Sequence, residues 1–288
     1  MTKIITHRGL DPSIKNFPAE STITAFRNHL QRGFGIEFDV NFSRDGKIFI
    51  FHDAGLKRIT NGQDNRQFSE LTLQEIKTLK FGNSHLPTFE ELVELIRKHS
   101  KGVNALHLKS KFQSEKYLAI LVNYLKKCQD IFNNLIVFDV KLDTAKYLKT
   151  TLPNLKLAPS VAHDYDIERY NDFVGGTLYS ISQAIANKEL FSWVWLDEWD
   201  LTDNNGGVKK LYTNEVFNDF HNSGIKVALV TPELHGTSPG LLGGEAHPDA
   251  TNQDKLFSRI KKIIAFGPDA VCTDYPDQVK KIIQSNKA

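Results

Sequence analysis

His7-Arg8-Gly9, Glu37-Phe38-Asp39 and His52-Asp53 all fall within the first 53 residues, each at or just after a short apolar run. Imidazoles titrate near neutral pH and can exchange protons with a reacting oxygen. A guanidinium presents a planar fork that matches phosphate, and paired carboxylates hold hard divalent cations. Together these are the groups that phosphodiester cleavage requires. Glu37 and Asp39 are separated by one residue, so on a strand both carboxylates project from the same face and can close on one cation. The same spacing also occurs in solvated acidic pairs, and Arg8 alone could equally serve a surface ion pair of little energetic weight. A structural or exposed role is the default for eight of the ten histidines; His7 and His52 differ because each ends an apolar run beside a charged residue.

These groups need a scaffold that gathers strand ends. Apolar runs of four to seven residues alternate with amphipathic stretches along the chain, the pattern of repeated βα units around a parallel sheet. The expected strands are Lys3 to Thr6, Gly35 to Val40, Ala105 to Lys109, Leu135 to Val140, Leu155 to Ser160, Gly176 to Tyr179 or alternatively Ser192 to Leu196, Lys226 to Val230, and Ala270 to Thr273. That makes roughly eight, the number of a TIM (β/α)8 barrel, and the fold class is α/β. Helices are expected at Thr22 to Gln31, Ser114 to Lys127, Thr213 to Ser223, Gln253 to Ala265 and Asp277 to Gln284, with a further start at Thr88, where Glu91 can complete a capping box. Asp45-Gly46 between two apolar runs predicts a hairpin after the second strand, returning His52 toward Glu37 and Asp39. The stretch Pro232 to Asn252 follows the seventh strand and is, by position, an active-site loop.

The 288 residues suit one large core, so a single domain over 1–288 is expected. Thirty-six Lys and Arg against 34 Asp and Glu leave a formal charge of +2, a balance that does not suggest a nucleic-acid binder. Cys128 and Cys272 lack any redox or zinc spacing and read as two reduced, partly buried thiols. No long apolar stretch precedes His7, so the chain carries no integral membrane segment there and reads as cytoplasmic, although a chain whose signal peptide had been removed would read the same way. Oligomeric state leaves no mark in the sequence.

The ordered set of motifs resembles the glycerophosphodiester phosphodiesterase family, within the phosphatidylinositol-phosphodiesterase-like superfamily of TIM barrels. It comprises His7-Arg8-Gly9, Glu20-Ser21-Thr22 in place of Glu-Asn-Thr, Glu37-x-Asp39, Asp45-Gly46 and His52-Asp53. Leu86 to Glu91 is similar to the family's IPTLEE, and Thr273 to Asp277 to its TDxPD. The resemblance implies a TIM barrel that hydrolyses a small-molecule phosphodiester. His7 and His52 would be general acid and base, Arg8 and Lys109 would bind phosphate, and Glu37 with Asp39 would hold a divalent metal, Mg²⁺ or Ca²⁺. Glu20 would belong to the shell of the site. A phospholipase D-like lyase that stops at a cyclic phosphate shares these features, and a barrel that binds phosphate ligands without turnover is a third reading.

Two departures from the family pattern stand out. Where the family carries Glu-x-Lys after the third barrel strand, this chain has His107-Leu108-Lys109, and an imidazole ligand shifts preference toward Mn²⁺ or Zn²⁺; alternatively His107 is a further acid–base or anion-binding group. After strand seven, Val230-Thr231-Pro232-Glu233 replaces WTVN, removing an aromatic wall that Trp193, Trp195 and Trp199 could supply, though such a cluster more often serves packing. Asp197 and Glu233, at expected strand ends, could replace the missing carboxylate.

Overall fold

The computed structural model describes residues 1–199, 207, 211–234 and 247–286. Its strands are β1 Lys3–Thr6, β2 Gly35–Phe42, β3 Ile48–Ile50, β4 Asn104–His107, β5 Leu135–Phe138, β6 Lys156–Ala158, β7 Ser160–Val161, β8 Leu178–Tyr179, β9 Trp193–Leu196, β10 Lys226–Val230 and β11 Ala270–Thr273. They pair in the order β6-β5-β4-β2-β1-β11-β10-β9-β7-β8, and every pair in that order is parallel. β6 and β7 are one stretch of chain interrupted at Pro159. The first half pairs with β5 and the second with β9, and Trp195 N donates to Pro159 O between them at 3.0 Å. Counting that stretch once, the sheet curls into a ring of eight positions, as the alternation of apolar and amphipathic segments predicts.

Two candidates for the sixth strand are both extended, and pairing separates them. Trp193–Leu196 bonds to β7 and to β10 and so occupies the ring, whereas Leu178–Tyr179 pairs with β7 alone. β3 runs antiparallel on β2, with Val40 opposite Ile50, and the turn closes through Gly46 at φ 68. The segment that follows covers a small apolar cluster of Phe49, Phe51, Leu56, Phe68, Leu71, Ile76 and Leu86 before the chain enters the helix Phe89–His99. That helix starts with the expected capping box, Glu91 N donating to Thr88 Oγ1 at 3.2 Å and Thr88 N to Glu91 Oε2 at 2.8 Å.

Side-chain alternation decides what reaches the top of the barrel. Ile36, Phe38, Val40 and Phe42 of β2 pack outward, in the cluster shared with Phe26, Leu92 and Leu121, so Glu37 and Asp39 point inward. Ile5, Ala105, Ile136, Phe138, Trp193, Trp195, Ala228, Val230, Ala270 and Cys272 fill the interior. His7, His107, Lys109 and Asp274 each lie an even number of residues beyond one of these inward-facing positions, on the same side of the strand. Trp193 and Trp195 are interior packing, and Trp199 sits in a separate cluster with Ala162 and Leu178. Both cysteines are unpaired and buried. Among the described residues no helix is long and apolar enough to cross a membrane. Of the loop from Pro232 to Asn252, positions 235–246, with the apolar run at 239–244, lie outside the described residues.

Candidate active site

The chain leaves β1 through a single tight turn, His7-Arg8-Gly9, in which Arg8 (φ 51) and Gly9 (φ 71) are both left-handed. A side chain at Gly9 would place its Cβ 3.2 Å from the Phe26 ring and 3.3 Å from Ala25, so the left-handed dihedral favours glycine and a larger residue would press on both neighbours. The turn aims the Arg8 amide at β2, where it donates to Glu37 Oε2 at 3.0 Å, and Ser21 N donates to Arg8 O at 2.7 Å, drawing Glu20 beside the turn. The Arg8 guanidinium lies 3.8 Å from Glu20 Oε2 and 3.8 Å from Asp39 Oδ2. A left-handed arginine with a buried guanidinium is costly, and such positions persist where surrounding contacts over-determine them.

Asp39 is the hub. Its Oδ1 receives His107 Nδ1 at 2.9 Å and Lys109 Nζ at 3.1 Å. Its Oδ2 is buried and accepts no hydrogen bond. Burial alone would raise its pKa, but the charges of Lys109 and His52 and the bond from His107 outweigh it and hold Asp39 well below the usual carboxylate range. Glu37 moves the opposite way, raised by burial and then by the Asp39 charge. His107 is pushed up to about 9, because its hydrogen bonds to Asp139 and Asp39 overcome the burial that would lower it.

His52 follows the short strand β3. Its Nδ1 sits 2.7 Å from Asp53 Oδ1, and Lys109 Nζ donates to its backbone carbonyl. Burial pushes His52 down to about 4, partly offset by Asp39 and Asp53. Asp53 is anchored by Arg58 Nε at 2.6 Å, and Arg58 in turn bonds Glu20, so Arg8, Glu20, Arg58, Asp53 and His52 form a continuous polar chain. His7 is oriented from the neighbouring strand β11: its Nδ1–H donates to Asp274 Oδ1 at 3.0 Å. Glu233 fixes that partner, its Oε1 accepting from Thr231 Oγ1 at 2.7 Å, Thr273 Oγ1 at 2.6 Å and Asp274 N at 3.0 Å.

The structure therefore places His7, Arg8, Glu20, Glu37, Asp39, His52, His107 and Lys109 in one network at the carboxyl ends of neighbouring strands. The ligating atoms of Glu37, Asp39 and His107 lie within 4.8 Å of one another, and the unbonded Asp39 Oδ2 is a donor atom that a cation would satisfy, so these residues fit a divalent metal. Glu233 is not in that group, because its carboxylate closes the loop beneath Asp274; Asp197, half-buried at the end of β9, is not in it either. Asp53, Arg58, Asp139 and Asp274 join the network without having been singled out by sequence. Asp53 and Asp274 lie inside motifs noted above, and Asp139 lies within the expected strand Leu135 to Val140, just past the end of the observed β5. Arg58 carried no signal, since only the hairpin and the segment after it bring it back to Glu20.

A model of the glycerophosphoryl diester phosphodiesterase family matches residues 7–278, a span that includes the network from His7 to Asp274. The chain is 25% identical over 246 residues to a glycerophosphodiester phosphodiesterase of Bacillus altitudinis, covering 79% of this chain and 98% of that one. It is 39% identical over 104 residues to a glycerophosphodiester phosphodiesterase of Caldanaerobacter subterraneus, a match that spans 33% of this chain and 40% of that relative. Among solved structures, a phosphodiesterase of Oleispira antarctica in complex with the product sn-glycerol-3-phosphate shares the fold, with a TM-score of 0.65, 22% identity, and coverage of 99% of this chain and 97% of that one.

Proposed function

Because the chain belongs to the glycerophosphoryl diester phosphodiesterase family, a family of phosphoric diester hydrolases, we propose that it cleaves a glycerophosphodiester to an alcohol and glycerol 3-phosphate. The observation that carries this reading is the pairing of two imidazoles, each oriented by its own aspartate, with the acid group and cations between β1, β2 and β4. An aspartate that accepts the Nδ1–H of a neutral imidazole leaves Nε2 as the nitrogen that exchanges protons with substrate. His52, kept neutral at pH 7 by burial, is in the state a general base needs. It would take the proton from water or from the glycerol hydroxyl beside the phosphate, while His7 protonates the departing alkoxide. A cyclic phosphate formed by the hydroxyl would be opened by water in a second step.

Arg8 and Lys109 supply fixed positive charge for the phosphoryl oxygens, preorganised by the carboxylates around them. A divalent cation held by Glu37 and Asp39 would supply Lewis-acid neutralisation of developing charge. Oxygen ligands favour Mg²⁺ or Ca²⁺, and the His107 nitrogen moves the preference toward Mn²⁺ or Zn²⁺. Residues 1–288 would act as one catalytic domain, since the network draws on both ends of the chain, His7 and Asp274.

The test is release of glycerol 3-phosphate by the purified protein from diesters of choline, ethanolamine, inositol and a second glycerol. EDTA is expected to bring release to background, and added divalent metal to restore it. Tight binding of glycerol 3-phosphate with no metal-dependent release would replace the enzyme by a phosphate-binding barrel.

A further inference from the structure

His107 is the member of the acid group that contributes nitrogen, and both of its ring nitrogens face carboxylates. Nδ1 is 2.9 Å from Asp39 Oδ1, and Nε2 is 3.3 Å from Asp139 Oδ2 on the adjacent strand end. Asp139 is held in turn, because Ser160 Oγ donates to its Oδ1 at 2.7 Å. The backbone at Asp139 is left-handed, with φ 66, so the chain turns there instead of continuing β5. Apart from glycine, asparagine and aspartate enter that region most readily. The imidazole is also fixed face-on: it stacks on Phe138 with ring centroids 4.7 Å apart and a 12° tilt, and Phe138 stacks on Trp195 at 3.9 Å and 13°.

We propose that Asp139 is a positioning residue that makes His107 a metal ligand. Its carboxylate would accept the Nε2–H, so that when a cation takes the place of the Nδ1 proton now shared with Asp39 Oδ1, the Nδ1 lone pair is directed at the ion beside the Glu37 and Asp39 oxygens. This is the carboxylate–histidine arrangement that orients ligating imidazoles elsewhere. Ser160 keeps the carboxylate in plane, and the aromatic stack prevents the ring from tipping. His107 thus stands where the resembled family pattern carries glutamate, and Asp139 sets a carboxylate behind the imidazole. The inference rests on the proposed metal site and adds the residue that aims its nitrogen ligand.

The experiment uses Mn²⁺ as the probe on the full chain, with affinity read from the free-ion EPR signal and ligand type from ¹⁴N modulation of the bound ion. The native protein is expected to show nitrogen coupling that His107→Ala removes. Asp139→Asn preserves size and tolerates the left-handed backbone but loses the charge. It is expected to weaken Mn²⁺ binding by about 10- to 100-fold, with Ser160→Ala shifting affinity the same way by less. The Ser160 variant and the native coupling decide the matter if Asp139→Asn does not fold. Mn²⁺ bound without nitrogen coupling, or bound by Asp139→Asn as tightly as by the native chain, overturns the inference while leaving the acidic site standing. No Mn²⁺ binding to the native chain at all removes the metal site and this inference together.

Discussion

Replacing either His7 or His52 by alanine is expected to lower kcat by about 10²- to 10⁴-fold, the range that positioned proton transfer contributes, with the far-UV spectrum unchanged. Each ring is held by a single aspartate at its margin, Asp274 for His7 and Asp53 for His52, so truncation removes a proton carrier without opening the apolar interior. The pH profile separates the two roles. Burial disfavours the charged imidazole of His52 and lowers its titration to about 4, so the base form persists as pH falls through the ordinary histidine range. The acid limb of kcat/KM is therefore expected near pH 4, with rate falling about tenfold per pH unit below it. A limb centred near pH 6.5, or a His52→Ala variant within threefold of native kcat, would remove His52 as the base.

The second large effect is expected at Asp39. Asp39→Asn keeps the shape of the side chain but removes the charge on which Lys109, His107 and Arg8 converge. Lewis-acid neutralisation is worth several kcal/mol of transition-state stabilisation, so divalent-dependent turnover is expected to fall on the order of 10³-fold, with metal affinity falling alongside it. Stability should fall too. Breaking a buried ion pair by removing one partner costs about 3–5 kcal/mol, and here Lys109 and Arg8, as well as His107, lose that partner. Calorimetric metal titration and denaturant unfolding of the same preparation read both effects. Native-like turnover with Mg²⁺ or Mn²⁺ in Asp39→Asn would show that this carboxylate is not part of the catalytic metal site.

Several features of the fold are visible in local chemistry alone. The ends of β1, β10 and β11 and of the helix Gln253–Ala265 coincide with those predicted from apolar periodicity, and the helix starts on the side-chain cap of Asn252. The capping box at Thr88 and the turn at Gly46 formed as their residue types require. The inward direction of Glu37 and Asp39 also follows from period two, since their neighbours Ile36, Phe38 and Val40 are apolar and must face the helices. The sixth strand was open in the sequence for a physical reason: two apolar runs have similar strand character, and only competition for hydrogen-bonding partners admits Trp193–Leu196 to the ring.

His7, Arg8, Glu37, Asp39 and His52 were identifiable because a strand end, a glycine turn and alternating polarity are local properties that a short stretch of chain specifies. The distant partners are not legible in that way, because Asp274 is 267 residues from His7 and Asp139 is 32 from His107, and nothing within a segment encodes which remote side chain will face it. That assignment comes from closing the sheet. Once parallel pairing aligns Thr6 with Thr273 and Asp39 with His107, the inward side chains at neighbouring strand ends must share one low-dielectric space, where each buried charge requires an opposite charge or a hydrogen bond. Glu233 shows the same rule from the other side: its sequence position suggested a metal ligand, and ring closure instead set its carboxylate on Thr231, Thr273 and the Asp274 amide.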